Sequence, residues 1–267
     1  MQSFIPWVGG KRSLAGRIVS LIPRHEVYAE PFMGAAWVFF AKPRSQVEVL
    51  NDLNGDLVNL FRVIRDRFQD FYLRRIFLIS AEREYKDFVR RLKTMDWQDD
   101  VERALMFWYC LKQSFGAQVG GGWGFARTRP PESLDMDGLK EIHERLKGVY
   151  INDQAALECI RRWDSPATFF YLDPPYMITT TAKGRGYYQH TMTLDDHSRL
   201  REALGKIKGR WLLSYDDDPL IRKLYEGFTI MEPEVTYTLN NRPGIRRRRV
   251  SELLIANYEL PRPSLGR

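Results

Sequence analysis

The sequence predicts an α/β fold in which a mainly parallel sheet is interrupted by an inserted helical segment, and three observations carry that prediction. Short apolar runs ending in Gly, Asp or Pro turns alternate with helical periodicity toward both ends of the chain, the rhythm of βαβ units. Between residues 56 and 147 the strand signal disappears and only helical periodicity remains. The uncharged run 168–172 stops abruptly at Asp173-Pro174-Pro175-Tyr176, because proline has no N–H for a ladder and fixes its own φ.

The chain has 267 residues, enough to bury a full core, and 44% apolar with 13% aromatic content describes a packed globule. Forty-one Lys and Arg against 34 Asp and Glu give a net charge of +7, which suits a polyanionic partner. Cys110 and Cys159 lack a CxxC spacing, and His25, His143, His190 and His197 are scattered. No metal site is therefore expected, and two core thiols fit a reducing compartment. No apolar run approaches the roughly 18 residues of a membrane span, and no basic segment precedes an apolar one at the start. A soluble, cytoplasmic, monomeric protein with no membrane partner is expected.

Taken in order, residues 4–11 lead through Gly9-Gly10-Lys11 into a helix whose Leu14, Ile18 and Leu21 fall at helical spacing, closed by Pro23. A Gly-Gly-Lys turn at a helix start suits an anion, phosphate or carboxylate, although the full phosphate-loop pattern is missing. A strand over 26–29 runs into Glu30-Pro31-Phe32-Met33-Gly34 and an apolar helix over 35–40. After a strand over 46–50 comes Asn51-Asp52, about 20 residues beyond the glycine turn, where an acid is placed to hold ribose hydroxyls.

In the helical segment Leu57, Leu60, Phe61, Ile64 and Phe68 share one face. Tyr85, Phe88, Val89 and Leu92 share a second, and Val101, Ala104, Leu105 and Trp108 a third. The glycine-rich stretch 114–129 interleaves rings with polar and basic side chains, and Gln118, Trp123, Arg127 and Arg129 are its candidate DNA contacts.

The α/β rhythm resumes with strands over 149–152, 168–172 and 211–215 and helices between them. Thr193 is expected to cap one of those helices with Asp196 at its third position. Two long strands, 228–238 and 250–258, close the chain. The hairpin between them carries Arg242, Arg246, Arg247 and Arg248, a strong electrostatic probe for phosphates.

With these pieces aligned, the chain resembles the DNA adenine methyltransferase (Dam) family, the D12 class of N6-adenine-specific enzymes. The likeness rests on four groups of residues in order. Pro6-Trp7-Val8-Gly9-Gly10-Lys11 comes first, followed by Glu30-Pro31-Phe32-Met33-Gly34 and Asn51-Asp52-Leu53-Asn54-Gly55-Asp56-Leu57. Asp173-Pro174-Pro175-Tyr176 completes the set, with the helix start at Thr193-Leu194 and the segment before Val250-Ser251-Glu252-Leu253-Leu254 extending it.

The resemblance implies a Rossmann-like S-adenosylmethionine-dependent methyltransferase sheet with an antiparallel final strand, formed by residues 1–55 and 148–267. It implies that residues 56–147 form a helical target-recognition subdomain. The cofactor contacts it implies are Trp7, Gly10, Lys11, Phe32, Gly34, Asp52, Asn152 and Asp173. It also implies that Asp173, Pro174, Pro175 and Tyr176 are catalytic on an adenine flipped out of double-stranded DNA. Two departures stand out: Ala36 occupies the place of the usual second glycine, and the stretch 114–129 does not follow the pattern of enzymes that read GATC. The alternatives are methylation of cytosine N4, or a catalytically silent DNA-binding relative. Cytosine C5 chemistry needs a nucleophilic Cys after proline, a context neither cysteine has.

Overall fold

A computed structural model of the chain describes residues 1–125, 134, 138–176, 192–233 and 252–261. Among them seven strands form one sheet: β1 (Val27–Glu30), β2 (Val47–Asn51), β3 (Tyr150–Asn152), β4 (Thr168–Leu172), β5 (Arg210–Asp216), β6 (Thr229–Met231) and β7 (Glu252–Ala256). Their order is β3-β2-β1-β4-β5-β7-β6. The first five are parallel, and β7 runs antiparallel to both β5 and β6. The chain leaves β1 toward one edge and returns at β4 toward the other. The switch point, where α/β sheets open a crevice beyond their strand ends, is therefore the β1/β4 junction.

Because successive strand side chains point to opposite faces, β4 feeds two cores. Phe169 and Tyr171 join the cluster on one face, and Phe170 and Leu172 join the other. All five β4 residues are buried, which is why this strand reads as a continuous uncharged run and not as an alternating one. Each fully buried Phe contributes about 1.5–3 kcal/mol of hydrophobic stabilisation.

One face is covered by α1 (Ala15–Leu21), α2 (Trp37–Ala41) and the inserted helices α3 (Gly55–Asp66), α4 (Phe68–Arg75), α5 (Glu82–Thr94), α6 (Asp100–Gln113) and α7 (Leu139–Leu146). The other is covered by α8 (Ala156–Trp163), α9 (Leu194–Leu204) and α10 (Pro219–Leu224). Thr193 caps α9 in a full capping box with Asp196, as its sequence predicts. Asn54 caps α3 by accepting from the backbone of Asp56 and Leu57. The inserted helices share a single core with the sheet: Leu57, Phe61 and Trp108 belong to the same cluster as Tyr28 and Phe169.

Three details differ from expectation. The face expected to run from Leu57 to Phe68 ends at Ile64, because Arg67 leaves helical geometry and Phe68 opens α4. Arg67 donates to Asp70 in the first turn of α4, which favours a fresh helix start there. The second helix begins at Trp37 and not at 35, since Ala36 before it is left-handed at φ 54°. In the last hairpin the strands are shorter than expected over the described residues: β6 spans Thr229–Met231 and stops before Glu232 and Pro233, where proline cannot donate to a ladder, and β7 stops at Ala256, before Asn257 and Tyr258. Its arginines Arg242, Arg246, Arg247 and Arg248 lie outside the described residues, as do Arg127 and Arg129.

Candidate active site

Four strand ends meet at the switch point and each delivers a polar side chain. Beyond β4, Asp173 carries the carboxylate of the Asp-Pro-Pro-Tyr segment. From β5, Ser214 donates to Asp173 Oδ1 at 2.9 Å and lies 3.0 Å from the Tyr171 hydroxyl. Lys11 approaches from the N-terminal turn, buried to 3% exposure, with its Nζ 2.8 and 2.9 Å from the two Asp173 oxygens. The same ammonium donates to the Gly9 carbonyl at 3.0 Å and stands 4.8 Å from the centre of the Tyr176 ring. The Tyr215 ring packs against that of Tyr176, with centroids 5.7 Å apart and planes tilted by 33°.

The turn that brings Lys11 here needs its glycines. A Cβ on Gly10 would fall 2.6 Å from Trp37 Nε1 and 3.1 Å from the Trp7 carbonyl. The expected anion partner of this turn is thus a carboxylate within the chain: Lys11 is ion-paired to Asp173. The turn also precedes α1 by several residues, so it is not itself a helix N-terminus.

At the end of β2, Asp52 accepts from Gly34 N at 3.0 Å and from Asn54 N at 2.9 Å, one bond to each carboxylate oxygen. Gly34 is left-handed at φ 46°, and a Cβ there would meet the Trp7 indole at 3.1 Å. Ala36 holds a second left-handed position in the same turn, a conformation that costs an L-residue about 1–2 kcal/mol and that glycine adopts freely. Asn51 ties the turn to the loop after β3 by donating to the Pro31 and Gln154 carbonyls. At the end of β1, Glu30 accepts from the Tyr28 hydroxyl at 2.6 Å and from Phe39 N at 2.8 Å. Burial pushes the Glu30 carboxyl up to about 8, outweighing those two hydrogen bonds.

A cavity of about 880 Å³ joins these groups. Its sheet side presents Trp7, Gly10, Lys11, Phe32, Gly34, Asp52, Asp173 and Pro175, and its helical side presents Lys93, Trp97, Arg103 and Gln118. Pro174 is buried and not part of the cavity lining, and Tyr176 lies beside Lys11. Asn152 stands apart from the lining: it sits on the edge strand β3 with its carbonyl bonded to Asp52 N, and Gln154 to Leu157 line the wall instead. Trp123 bridges to Ser114 and is partly buried, so the exposed rings of its loop are Phe115 and Phe125.

Ser214 has no counterpart among the residues the sequence singled out, and Glu30 entered only as the first residue of a motif, with no role in the site. Ser214 is found only by knowing that β5 pairs with β4. Both cysteines are buried, with thiols pushed up to about 12. Among the described residues no group of His, Cys, Asp or Glu has metal-binding geometry, and no helix is long and apolar enough to cross a membrane.

A largely parallel sheet closed by an antiparallel β7, with an Asp-Pro-Pro-Tyr carboxylate at its switch point, defines a Rossmann-like methyltransferase. The family model for D12 class N6 adenine-specific DNA methyltransferases matches residues 7–239, and the chain belongs to that family. It is 27% identical to the Type II methyltransferase M1.LlaDCHI of Lactococcus lactis subsp. cremoris, covering 97% of this chain and 96% of that protein. It is likewise 27% identical to the Type II methyltransferase M.MjaIII of Methanocaldococcus jannaschii, over 97% and 99% of the two chains. Identity to the DNA adenine methylase of Escherichia coli (strain K12) is 26%, over 95% and 94%. The chain is an adenine-specific DNA methyltransferase, and the family decides for adenine N6 over cytosine N4.

Proposed function

We propose that this chain binds S-adenosylmethionine along the β1 and β2 ends of the cavity and methylates an adenine flipped out of double-stranded DNA against Asp173. The observation that carries the reading is that one cavity contains both Asp52 and Asp173, each a carboxylate fixed by donors from its own fold.

The residues present fit the cofactor. Its volume lies within the 300–1,000 Å³ of small-molecule sites. Trp7 and Phe32 offer apolar faces to an adenine ring, and Asp52 offers the acceptor that a ribose diol requires. The tight packing of Gly34 against Trp7 supports a backbone shaped for close approach. When bound, the cofactor supplies an electrophilic methyl group on a sulfonium.

The chain's own residues answer a specific difficulty. The N6 lone pair of adenine is delocalised into the ring, so the amino group is a poor nucleophile. Accepting its two protons at Asp173 and at the Pro174 carbonyl favours a pyramidal nitrogen and stabilises the positive charge that develops there. The new N–C bond forms at the expense of the sulfonium–methyl bond, whose electron pair stays on sulfur, and one of those protons is then lost to solvent by way of Asp173. Ser214 holds the Asp173 carboxylate in place, and Tyr176 stacks on the flipped ring, offsetting part of the few kcal/mol cost of extrusion. Residues 56–147, with Gln118 at the cavity wall and Trp123, Arg127 and Arg129 in the same glycine-rich stretch of sequence, choose the target. Arg242, Arg246, Arg247 and Arg248 hold phosphates.

The test is methyl transfer from labelled cofactor to DNA by Asp173→Asn. A loss of about 10²-fold or more in kcat at saturating cofactor is expected. Transfer at the parent rate would show that the chemistry lies elsewhere.

A further inference from the structure

Lys11 is shared between two carboxylates. Its Nζ bonds both oxygens of Asp173, and Glu252 Oε1 lies 3.8 Å away, within ion-pair range and beyond hydrogen-bond range. Glu252 is the first residue of β7, 7% exposed, and pairs in register with the buried Asp216 of β5. The Lys11 ammonium, itself 3% exposed, thus sits between an acid that faces the cavity and one that backs onto the sheet.

That position conflicts with the chemistry proposed above. While Lys11 holds both Asp173 oxygens and Ser214 holds one, the carboxylate is a weakened acceptor for an incoming amino group. A full positive charge beside a nitrogen that is itself becoming positive opposes the transition state. Removing the lysine charge altogether would leave the buried Glu252 and the half-buried Asp173 uncompensated, which is also unfavourable. A short displacement of Nζ toward Glu252 satisfies both demands: the cation stays buried and paired, and Asp173 regains acceptor capacity on the cavity side. The Gly9 carbonyl, 3.0 Å from Nζ, tethers one ammonium proton meanwhile.

We infer that Glu252 is a positioning residue for the methyl-transfer step, receiving the Lys11 ammonium when the target amino group takes its place on Asp173. This rests on the assignment of Asp173 as the acceptor. The lysine has two docking points, one for the resting enzyme and one for the loaded enzyme. Glu252 touches neither substrate nor cofactor in this scheme, and its effect passes entirely through Lys11.

A double-mutant cycle on single-turnover methyl transfer tests it, using the parent, Glu252→Gln, Lys11→Met and the double variant, with Asp173→Asn alongside. Glu252→Gln keeps the side-chain shape and removes its charge. The expected result is a fall in kcat of at least about tenfold, with KM for S-adenosylmethionine and for DNA within about twofold of the parent. Glu252→Asp, which keeps the charge, is expected to recover part of the loss. In the Lys11→Met background Glu252→Gln should change the remaining rate less than about twofold, since the group it positions is gone. An unchanged kcat in Glu252→Gln overturns the inference, as does an equal loss in both backgrounds, which would mark a merely structural role. If Asp173→Asn retains the parent rate, the underlying assignment fails; if that variant is inactive and Glu252→Gln is not impaired, only the present inference fails. Independently of any variant, the crystal structure of the parent with sinefungin and target DNA should show Nζ within hydrogen-bond distance of Glu252. Nζ still on both oxygens of Asp173 in that complex would refute the displacement.

Discussion

Ser214 Oγ donates to Asp173 Oδ1 at 2.9 Å, so the carboxylate at the end of β4 is held from the neighbouring strand. A hydrogen bond to a charged group contributes about 1.5–3 kcal/mol, and here it fixes direction as well as energy. Ser214→Ala is therefore predicted to lower kcat by roughly tenfold to a hundredfold. Cofactor affinity should change little, because Asp52 and the Gly34 turn are untouched. Single-turnover kinetics paired with a cofactor titration separates the two effects.

Asp52 is predicted to act on affinity and not on chemistry. Each of its oxygens already accepts one backbone N–H, from Gly34 and from Asn54, so the carboxylate both shapes the turn and faces the cavity. Replacing one oxygen by an amide sets a donor against a donor. Asp52→Asn should weaken S-adenosylmethionine binding by at least about tenfold, roughly 1.4 kcal/mol, measured by calorimetry. Gly34→Ala should act in the same direction, because its methyl would enter the Trp7 contact at a left-handed φ.

Glu30 gives the protein a pH signature. Its carboxyl is pushed from 4.5 to about 8 by burial, so folded protein keeps the proton across a window in which unfolded chain has lost it. The unfolded state then binds fewer protons, and stability falls as pH rises from about 4.5 to about 8. Glu30→Gln retains an acceptor for Tyr28 and Phe39 and does not titrate. Thermal melts of both proteins at pH 5 and pH 8 should show the parent losing stability relative to the variant on going up. The change is on the order of a few kcal/mol, at about 1.4 kcal/mol per pKa unit. Parallel curves would contradict the assignment of a buried neutral acid.

Gln118 lines the cavity on its helical side, with Lys93, Trp97 and Arg103, and its amide can both donate and accept. Gln118→Ala should reduce methylation of the parent's preferred site, or broaden the set of modified sites, with cofactor affinity unchanged. Sequencing that reports N6-methyladenine in context, on DNA from cells expressing each protein, reads both outcomes. An identical site profile and rate would remove Gln118 from target choice.

Much of this site is legible in the chain because its parts are backbone devices with local signatures. Asp-Pro-Pro ends a strand, a glycine before a helix marks a left-handed turn, and an acid some 20 residues later sits at the next strand end. Thr193 with Asp196 announces its own helix. What the chain hides is lateral. Ser214 matters because β5 lies beside β4, a register that no local pattern encodes. Glu30 reads as the first letter of a motif, and only its burial makes it a neutral acid. The same holds for the helical segment: period revealed α5 and α6, while the break at Arg67 depended on a local ion pair, and α7 stood behind a polar stretch that masked its short apolar stripe.

Arg145, near the end of α7, donates to the buried Glu48 of β2 and to the Phe39 carbonyl, while Lys42 closes on the same carboxylate at 2.6 Å. The last inserted helix is thereby fastened to the sheet at a point where neither charge can be left alone. For anyone exchanging the helical segment 56–147 between relatives, this sets the cut site: the splice belongs upstream of Arg145, leaving the clasp with the recipient. A chimera joined downstream of it imports a foreign partner for Glu48 and should misfold before any change in specificity can be read.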